Sequence, residues 1–117
     1  MFRSGNVTVT VADLTKAVQF YVDTLGLKLR HEPDGHFAQI EGPGLTIGLL
    51  HLGGEQGGDT QKSGSMSIGF EVEEMGTAVG TLKSRGVEFH DDVEGQAARV
   101  VHFNDPDGHT LYLVCSR

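Results

Sequence analysis

The stretch that decides the fold reads Asn6-Val7-Thr8-Val9-Thr10-Val11-Ala12-Asp13-Leu14, and about sixty residues later it is echoed by Ser67-Ile68-Gly69-Phe70-Glu71-Val72-Glu73-Glu74-Met75. In each copy an alternating run, typical of a strand with one buried face, leads into an acidic residue and an amphipathic helix. An internal repeat of this kind sets the whole fold. The sequence therefore predicts two related modules in tandem, with a cleft lined by equivalent positions of both.

The helix of each copy carries matching start and stop signals. Asp13 is a good N-cap, because its carboxylate can accept hydrogen bonds from the backbone N–H groups of the first turn. Gly26 and Gly86 end the two helices, since glycine tolerates the positive φ of a helix C-terminus. Both helices have an apolar stripe that we expect to face the core. The stripes are Leu14, Ala17, Val18, Tyr21, Val22 and Leu25 in the first helix, and Met75, Ala78, Val79 and Leu82 in the second.

Three strands are predicted after each helix. They cover 27–32, 36–41 and 45–51 in the first copy and 87–91, 97–103 and 109–115 in the second. The fold class is then α+β, with two tandem βαβββ modules that form a curled mixed sheet around a cleft. We expect a single domain over 1–117, in which module 1 covers about 1–52, a Gly-rich linker about 53–65 and module 2 about 66–117.

Composition and charge narrow the class of protein. With 117 residues, 38% apolar and 21% charged, the chain suits one globular domain with a real core. The net charge of −7 argues against a nucleic-acid partner, which needs clustered Lys and Arg, and it permits a cationic ligand. No run reaches the roughly 18 apolar residues of a membrane span, so we expect no membrane partner. Cys115 is the only cysteine, which fits a reducing cytoplasm, and we expect it to be a small buried side chain.

Two motifs carry a family resemblance. The first is Val11-Ala12-Asp13-Leu14 with Ala17-Val18, Phe20-Tyr21 and Leu25-Gly26-Leu27, and the second is Phe103-Asn104-Asp105-Pro106-Asp107-Gly108. In this order, in a duplicated chain of this length, they resemble the vicinal oxygen chelate superfamily, which contains glyoxalase I, the bleomycin resistance proteins and extradiol dioxygenases. The resemblance covers essentially the whole chain. It implies modules that pair within a chain or across a twofold axis, and we expect a homodimer.

The resemblance also implies where a metal would be held. Metal-dependent members place ligands, usually His and Glu, on the first and last strand of each module, and these points fall on Asn6, Gly48, Ser67 and Tyr112. A divalent first-row ion usually takes three or more imidazole, thiolate or carboxylate ligands from the protein. None of the four residues offers such a group, so we predict no metal and no other cofactor, and the ordinary glyoxalase I mechanism is excluded.

His102 is the histidine with the clearest place in a site. If the last two strands form a hairpin in which even residues oppose even residues, His102 and Tyr112 share a face, beside Val100 and Thr110. Such a pair can act as acid and base, or can hydrogen-bond a ligand.

The other histidines receive different predictions. The string His90-Asp91-Asp92 looks like a set of metal ligands but is interpreted as a solvated loop after a strand. His51 has the opposite strand parity to Gly48 and should not share its face. His36 can reach the cleft mouth by the same reasoning, whereas His109, in or beside a tight turn, is expected to be exposed.

Functions from three classes remain open. The resemblance to bleomycin resistance proteins implies a small-molecule-binding protein, associated with antibiotic resistance, whose aromatic lining would come from Phe37, Phe103 or Tyr112. The alternative is a glyoxalase-like lyase, isomerase or dioxygenase, either metal-independent through Tyr112 and His102 or with relocated metal ligands. A protein-interaction role is the third. The residues predicted to line the ligand-binding cleft are Asn6, Thr8, Gly48, Ser67, Gly69, His102 and Tyr112.

Overall fold

The computed structural model describes residues 1–2, 4–31, 36–51 and 66–116. The chain divides into two compact units, Met1–Gln61 and Lys62–Arg117, which we call module 1 and module 2. Each contains one four-stranded mixed sheet, so the predicted α+β class with two repeated βαβββ modules is confirmed. The predicted linker over 53–65 lies outside the described residues. Within those residues, no helix is both long and apolar enough to cross a membrane.

Module 1 follows the predicted element order with one addition. Its sheet has the order β1-β4-β3-β2, in which β1 runs parallel to β4 and the other neighbours are antiparallel. The elements are β1 (Asn6–Thr10), α1 (Leu14–Gln19), a π-helical turn (Phe20–Thr24), β2 (Lys28–His31), β3 (Phe37–Gly42) and β4 (Leu45–Leu50).

Module 2 repeats this topology. Its sheet has the order β5-β8-β7-β6, again with the first strand parallel to the last. The elements are β5 (Ile68–Glu71), α2 (Met75–Ser84), β6 (Phe89–Glu94), β7 (Ala98–Asn104) and β8 (Thr110–Ser116). The equivalence extends to single residues, because Thr8 pairs with Gly48 in module 1 as Gly69 pairs with Tyr112 in module 2.

The predicted helix signals are present. The Asp13 carboxylate accepts a hydrogen bond from the Lys16 N–H at 3.0 Å. In module 2 the carboxylate of Glu74 accepts from two backbone N–H groups of its helix, at 2.8 and 2.9 Å. Gly26 and Gly86 have φ values of 82° and 93°, the left-handed conformation that ends a helix.

The first helix is shorter than the apolar stripe predicted. After Gln19 the hydrogen bonding widens, and the Leu25 N–H bonds the carbonyl of Phe20, five residues back, at 3.0 Å. The wider turn still buries Tyr21 completely but leaves Leu25 only half-buried. A π-helical turn follows from this local choice of acceptor, which apolar spacing does not reveal.

Each sheet has one apolar and one more polar face, because side chains alternate along a strand. In module 1 the buried face is built by Ala38, Ile40, Ile47 and Leu49, against which α1 packs. In module 2 the buried side chains on β7 and β8 are Val101, Phe103, Leu111 and Leu113. Burial of each large apolar side chain contributes about 1.5–3 kcal/mol. The opposite faces are therefore left to polar residues, and these carry the candidate site.

Candidate functional site

One row of residues crosses all four strands of module 2. His90 on β6 pairs with His102 on β7, His102 pairs with Tyr112 on β8, and Tyr112 pairs with Gly69 on β5. We call these four residues the histidine–tyrosine row. The sequence neighbours of His102 on β7, Val101 and Phe103, point the other way and are buried. The predicted even-to-even hairpin register, which places His102 and Tyr112 on one face, is confirmed.

Tyr112 lies directly against Gly69. A Cβ atom added to Gly69 would overlap carbon atoms of the Tyr112 ring and would lie 2.5 Å from its hydroxyl oxygen. Only glycine therefore leaves room for the ring in this position. The ring centroids of Tyr112 and His102 are 5.8 Å apart, with the planes tilted by 48°. No residue in the described part of the chain hydrogen-bonds the Tyr112 hydroxyl.

The imidazole of His102 has a defined tautomer. Its Nδ1 lies 2.9 Å from the backbone carbonyl oxygen of Asp91. A carbonyl oxygen only accepts, so Nδ1 carries the hydrogen and donates it. In the neutral ring, Nε2 then carries the lone pair, and no described residue donates a hydrogen bond to it. A histidine held this way is oriented to accept a proton or a hydrogen bond at Nε2.

A β-bulge brings Asp91 to both histidines. The pairing of β6 with β7 shifts register between His90 and Val93, and Asp91 has a φ of 50°, the one positive value at a non-glycine residue of the described ranges. While its carbonyl faces His102, its carboxylate lies 2.8 Å from Nδ1 of His90. The prediction that His90-Asp91-Asp92 is solvated is confirmed, because all three residues are exposed. The predicted loop is wrong, because the bulge absorbs the extra residue and keeps this polar string within an edge strand.

His90 lies between two hydrogen-bond acceptors. Its Nε2 is 2.7 Å from Oδ1 of Asn104, whose Nδ2 donates to the carbonyls of Gly108 and His109, at 3.3 Å each. Reversing the amide would point its oxygen at those carbonyls, so the network fixes its orientation. The pKa of His90 is raised above its usual value of 6.5, first by the Asp91 hydrogen bond and then by that of Asn104, with burial opposing. The site therefore favours an imidazolium at His90.

The predicted residues of module 1 also lie together. Thr8 is opposite Gly48, and a Cβ on Gly48 would lie 2.8 Å from the Thr8 hydroxyl and 3.0 Å from the Phe37 ring. Asn6 begins β1 of the same module, whereas Ser67 belongs to module 2, where it precedes β5 and is exposed. Phe37 thus shares a face with predicted site residues of its own module.

Three sequence-based expectations need correction. Phe103 is fully buried on the apolar face of module 2 and lines no polar surface. His109 is buried rather than exposed, because the Asp105 carboxylate folds the turn inward and accepts its N–H at 2.8 Å. Cys115 is only half-buried, and its thiol donates to the Glu73 carbonyl at 3.5 Å.

Module 1 contains a histidine pair of its own. In module 1 the rings of His36 and His51 stack with centroids 6.5 Å apart, and the His51 N–H donates to the His36 carbonyl at 2.7 Å. Across 1–2, 4–31, 36–51 and 66–116, no group of three or more His, Cys, Asp or Glu side chains is placed to hold a metal ion. His90, Asp91 and Asn104 were not predicted as site residues, because the register of β6 against β7 shifts at the bulge between His90 and Val93 and is not set by strand alternation alone.

Comparisons with known proteins agree with this fold. The family described as the Glyoxalase/Bleomycin resistance protein/Dioxygenase superfamily matches residues 3–113. The chain is 30% identical over 119 residues to the uncharacterized protein YraH of Bacillus subtilis, covering 92% of this chain and 93% of YraH. It is 27% identical over 142 residues to the lactoylglutathione lyase of Schizosaccharomyces pombe, covering 97% of this chain but only 47% of that enzyme.

Solved structures show the same fold. TnmS3, an antibiotic binding protein from Streptomyces sp. CB03234, superimposes with a TM-score of 0.78 at 24% identity, covering 100% of this chain and 98% of TnmS3. A superfamily member from Sphaerobacter thermophilus gives a TM-score of 0.75 at 28% identity, covering 98% of each chain.

Proposed function

Because the chain belongs to the Glyoxalase/Bleomycin resistance protein/Dioxygenase superfamily, we propose that it binds a small organic molecule on the polar face of module 2. The observation that carries this proposal is a pair of available polar groups on adjacent rings, Nε2 of His102 and the Tyr112 hydroxyl. Small-molecule sites commonly combine apolar and aromatic surface with a few placed polar groups. The two rings offer that combination.

The chemistry of the family's metal positions supports binding without a metal. The four positions carry Asn6, Gly48, Ser67 and Tyr112, and the structure pairs Gly48 and Tyr112 with equivalent partners in the two modules. Glycine has no side chain to coordinate an ion, and amide or hydroxyl oxygens supply little charge. This donor set does not fit a divalent first-row ion. Asn6, Thr8, Gly48 and Ser67 stay predicted ligand-binding residues.

The proteins of similar fold support a small-molecule-binding function but do not identify the ligand. TnmS3 is described as an antibiotic binding protein, so one protein of this fold holds an antibiotic. We propose for the present chain a ligand of the same general kind, a small organic molecule. We also propose a cytoplasmic homodimer. Sedimentation velocity tests the dimer, since a species with twice the 12.6 kDa mass is expected.

A second candidate is a metal-independent lyase or isomerase. The hydrogen bond from His102 Nδ1 to the Asp91 carbonyl favours it, because a general base needs its ring held in one tautomer. The distant relation to a lactoylglutathione lyase points the same way. The two candidates differ in one outcome: a binding protein returns its ligand unchanged, whereas an enzyme converts it.

The test is a thermal-shift screen of small organic molecules, including antibiotics, followed by mass analysis of each recovered ligand. A true ligand at a hundred times its Kd stabilises the protein by about 2.7 kcal/mol. We expect Tyr112→Phe and His102→Gln to weaken binding about tenfold, because each removes or displaces one hydrogen bond. His51→Gln is the matched control, because His51 is not among the predicted ligand-binding residues, and it should leave binding unchanged.

Each result assigns the function. Unchanged ligand together with weakened binding in both variants supports the binding protein. Conversion that disappears in His102→Gln while binding persists supports the lyase or isomerase. A ligand that binds Tyr112→Phe and His102→Gln as tightly as the wild type contradicts a site on the histidine–tyrosine row.

A further inference from the structure

Two neighbouring imidazoles in module 2 have different sets of hydrogen-bond partners. His90 faces acceptors at both ring nitrogens, the Asp91 carboxylate at 2.8 Å and the Asn104 amide oxygen at 2.7 Å. A neutral imidazole has only one N–H, so this arrangement is fully satisfied only by the doubly protonated ring. His102 donates from Nδ1 alone and keeps its lone pair at Nε2.

These rings lie side by side. Their centroids are 6.0 Å apart, and the planes differ by 25°. The row therefore places the lone pair of His102 Nε2 beside an imidazole whose two nitrogens both face acceptors, with the Tyr112 hydroxyl on the far side of His102.

Of the two carboxylates beside His90, only Asp91 contacts its ring. A cavity of about 240 Å³ beside the bulge is lined by His90 together with Asp91, Asp92, Lys83 and Arg99. The other carboxylate, Asp92, forms an ion pair with Arg99, whose guanidinium donates hydrogen bonds to both Asp92 oxygens at 2.7 and 3.1 Å. The Asp91 carboxylate is therefore the counter-ion that contacts His90 directly, although its side chain is 74% exposed.

We propose that this row selects a ligand through a weakly acidic donor, an O–H or N–H group that hydrogen-bonds His102 Nε2 and whose developing negative charge His90 stabilises. The inference rests on the proposed binding function and names the ligand chemistry of that same site. The proton stays on the ligand or is shared with Nε2 of His102, so no other reactant is needed. The Tyr112 hydroxyl can donate a hydrogen bond to the ligand heteroatom. The overall charge of −7 permits a cationic ligand, whereas this row favours one that gains negative character.

Asp91 is the positioning residue of this arrangement. Its positive φ turns the backbone carbonyl to His102 while the side chain holds His90. Asn and Gly both tolerate that φ, so Asp91→Asn and Asp91→Gly keep the backbone conformation and remove the carboxylate. Both variants should leave the His102 tautomer intact and reduce the fraction of charged His90.

The ligand test compares para-nitrophenol, which donates an O–H, with para-nitroanisole, its methyl ether, which cannot. Calorimetric titration should show that wild-type protein binds the phenol about tenfold more tightly, the upper range for one hydrogen bond. His102→Phe keeps a ring but loses the lone pair, so the preference should fall to about one. His51→Phe, the matched control, should keep the full preference, and Asp91→Asn should give an intermediate value.

A second measurement reads the protonation states directly. Long-range ¹H–¹⁵N spectra of the imidazoles at neutral pH should show protons on both nitrogens of His90 and on Nδ1 alone of His102. Bound para-nitrophenol should also show a stronger phenolate absorbance band than the free phenol at the same pH.

The outcomes separate the two proposals. Equal binding of phenol and ether, both weakened by Tyr112→Phe, overturns the donor selectivity and leaves the binding function standing. A proton on Nε2 of His102, or a neutral His90, overturns the inference whatever the affinities. Failure of para-nitrophenol to bind also overturns it, while the binding function is then decided by the thermal-shift screen.

Discussion

Replacement of Gly69 by alanine should destabilise module 2 and displace the Tyr112 ring. A Cβ at this position would overlap the ring carbons and lie 2.5 Å from the hydroxyl oxygen, so the ring must move. Overpacking costs about 1–3 kcal/mol. Alanine also restricts the unfolded chain more than glycine does, which offsets about 0.4–1 kcal/mol of that cost. We expect a net loss of about 1 kcal/mol in the free energy of unfolding, or about 4 °C in Tm.

Urea unfolding of the wild-type protein and two alanine variants measures this effect. Gly80 lies within α2, and a Cβ atom added there would meet no side chain within 4 Å, so Gly80→Ala should instead stabilise by about 0.5–1 kcal/mol. Opposite signs for the two variants support the close approach of Tyr112 to Gly69. A Gly69→Ala variant as stable as Gly80→Ala, with unshifted Tyr112 ring signals in NMR spectra, would refute the reasoning.

Three further predictions concern helix starts and titration. Asp13→Ala should lower the free energy of unfolding by about 1 kcal/mol in urea melts while Asp13→Asn changes it little, and equal losses would count against a capping role. The pKa of His90 is raised, so His90 should stabilise the fold fully below pH 6.5, its usual pKa, and should lose that contribution as the pH rises through the raised pKa. A difference in unfolding free energy between wild type and His90→Gln that grows with pH contradicts this prediction. The pKa of Glu74 is lowered first by the Thr77 side chain and then by backbone N–H groups. Glu74 should therefore stabilise the fold fully above pH 4.5, its usual pKa, and should lose that contribution as the pH falls through the lowered pKa. An acid-unfolding midpoint in Glu74→Gln equal to that of the wild type would exclude this contribution.

The fold could be predicted from the sequence because several local patterns indicate the same arrangement of strands and helices. The repeated strand-and-helix pattern, the cap at Asp13 and the stops at Gly26 and Gly86 all appear in the structure. The placement of His102 beside Tyr112 followed from strand alternation and one assumed register, which the structure confirms. Consistent local signals of this kind are what allow a sequence to specify one fold.

Other features depended on interactions that no local pattern records. The bulge at Asp91 puts a non-glycine residue at positive φ, and only its contacts with two histidines show why. His109 is buried because a carboxylate four residues earlier accepts its N–H. Phe103 differs: its parity is opposite to that of His102, so its place in the core was predictable from the same alternation.

The most direct test of metal-independent binding is the metal content of the tag-free protein after incubation with Mn²⁺, Co²⁺, Ni²⁺, Zn²⁺ or anaerobic Fe²⁺ and desalting. The residues at the family's ligand positions predict that no ion remains above about a tenth of an equivalent. One equivalent of any of these ions per chain would contradict the account and would point to an enzyme whose ligands include some of the six histidines.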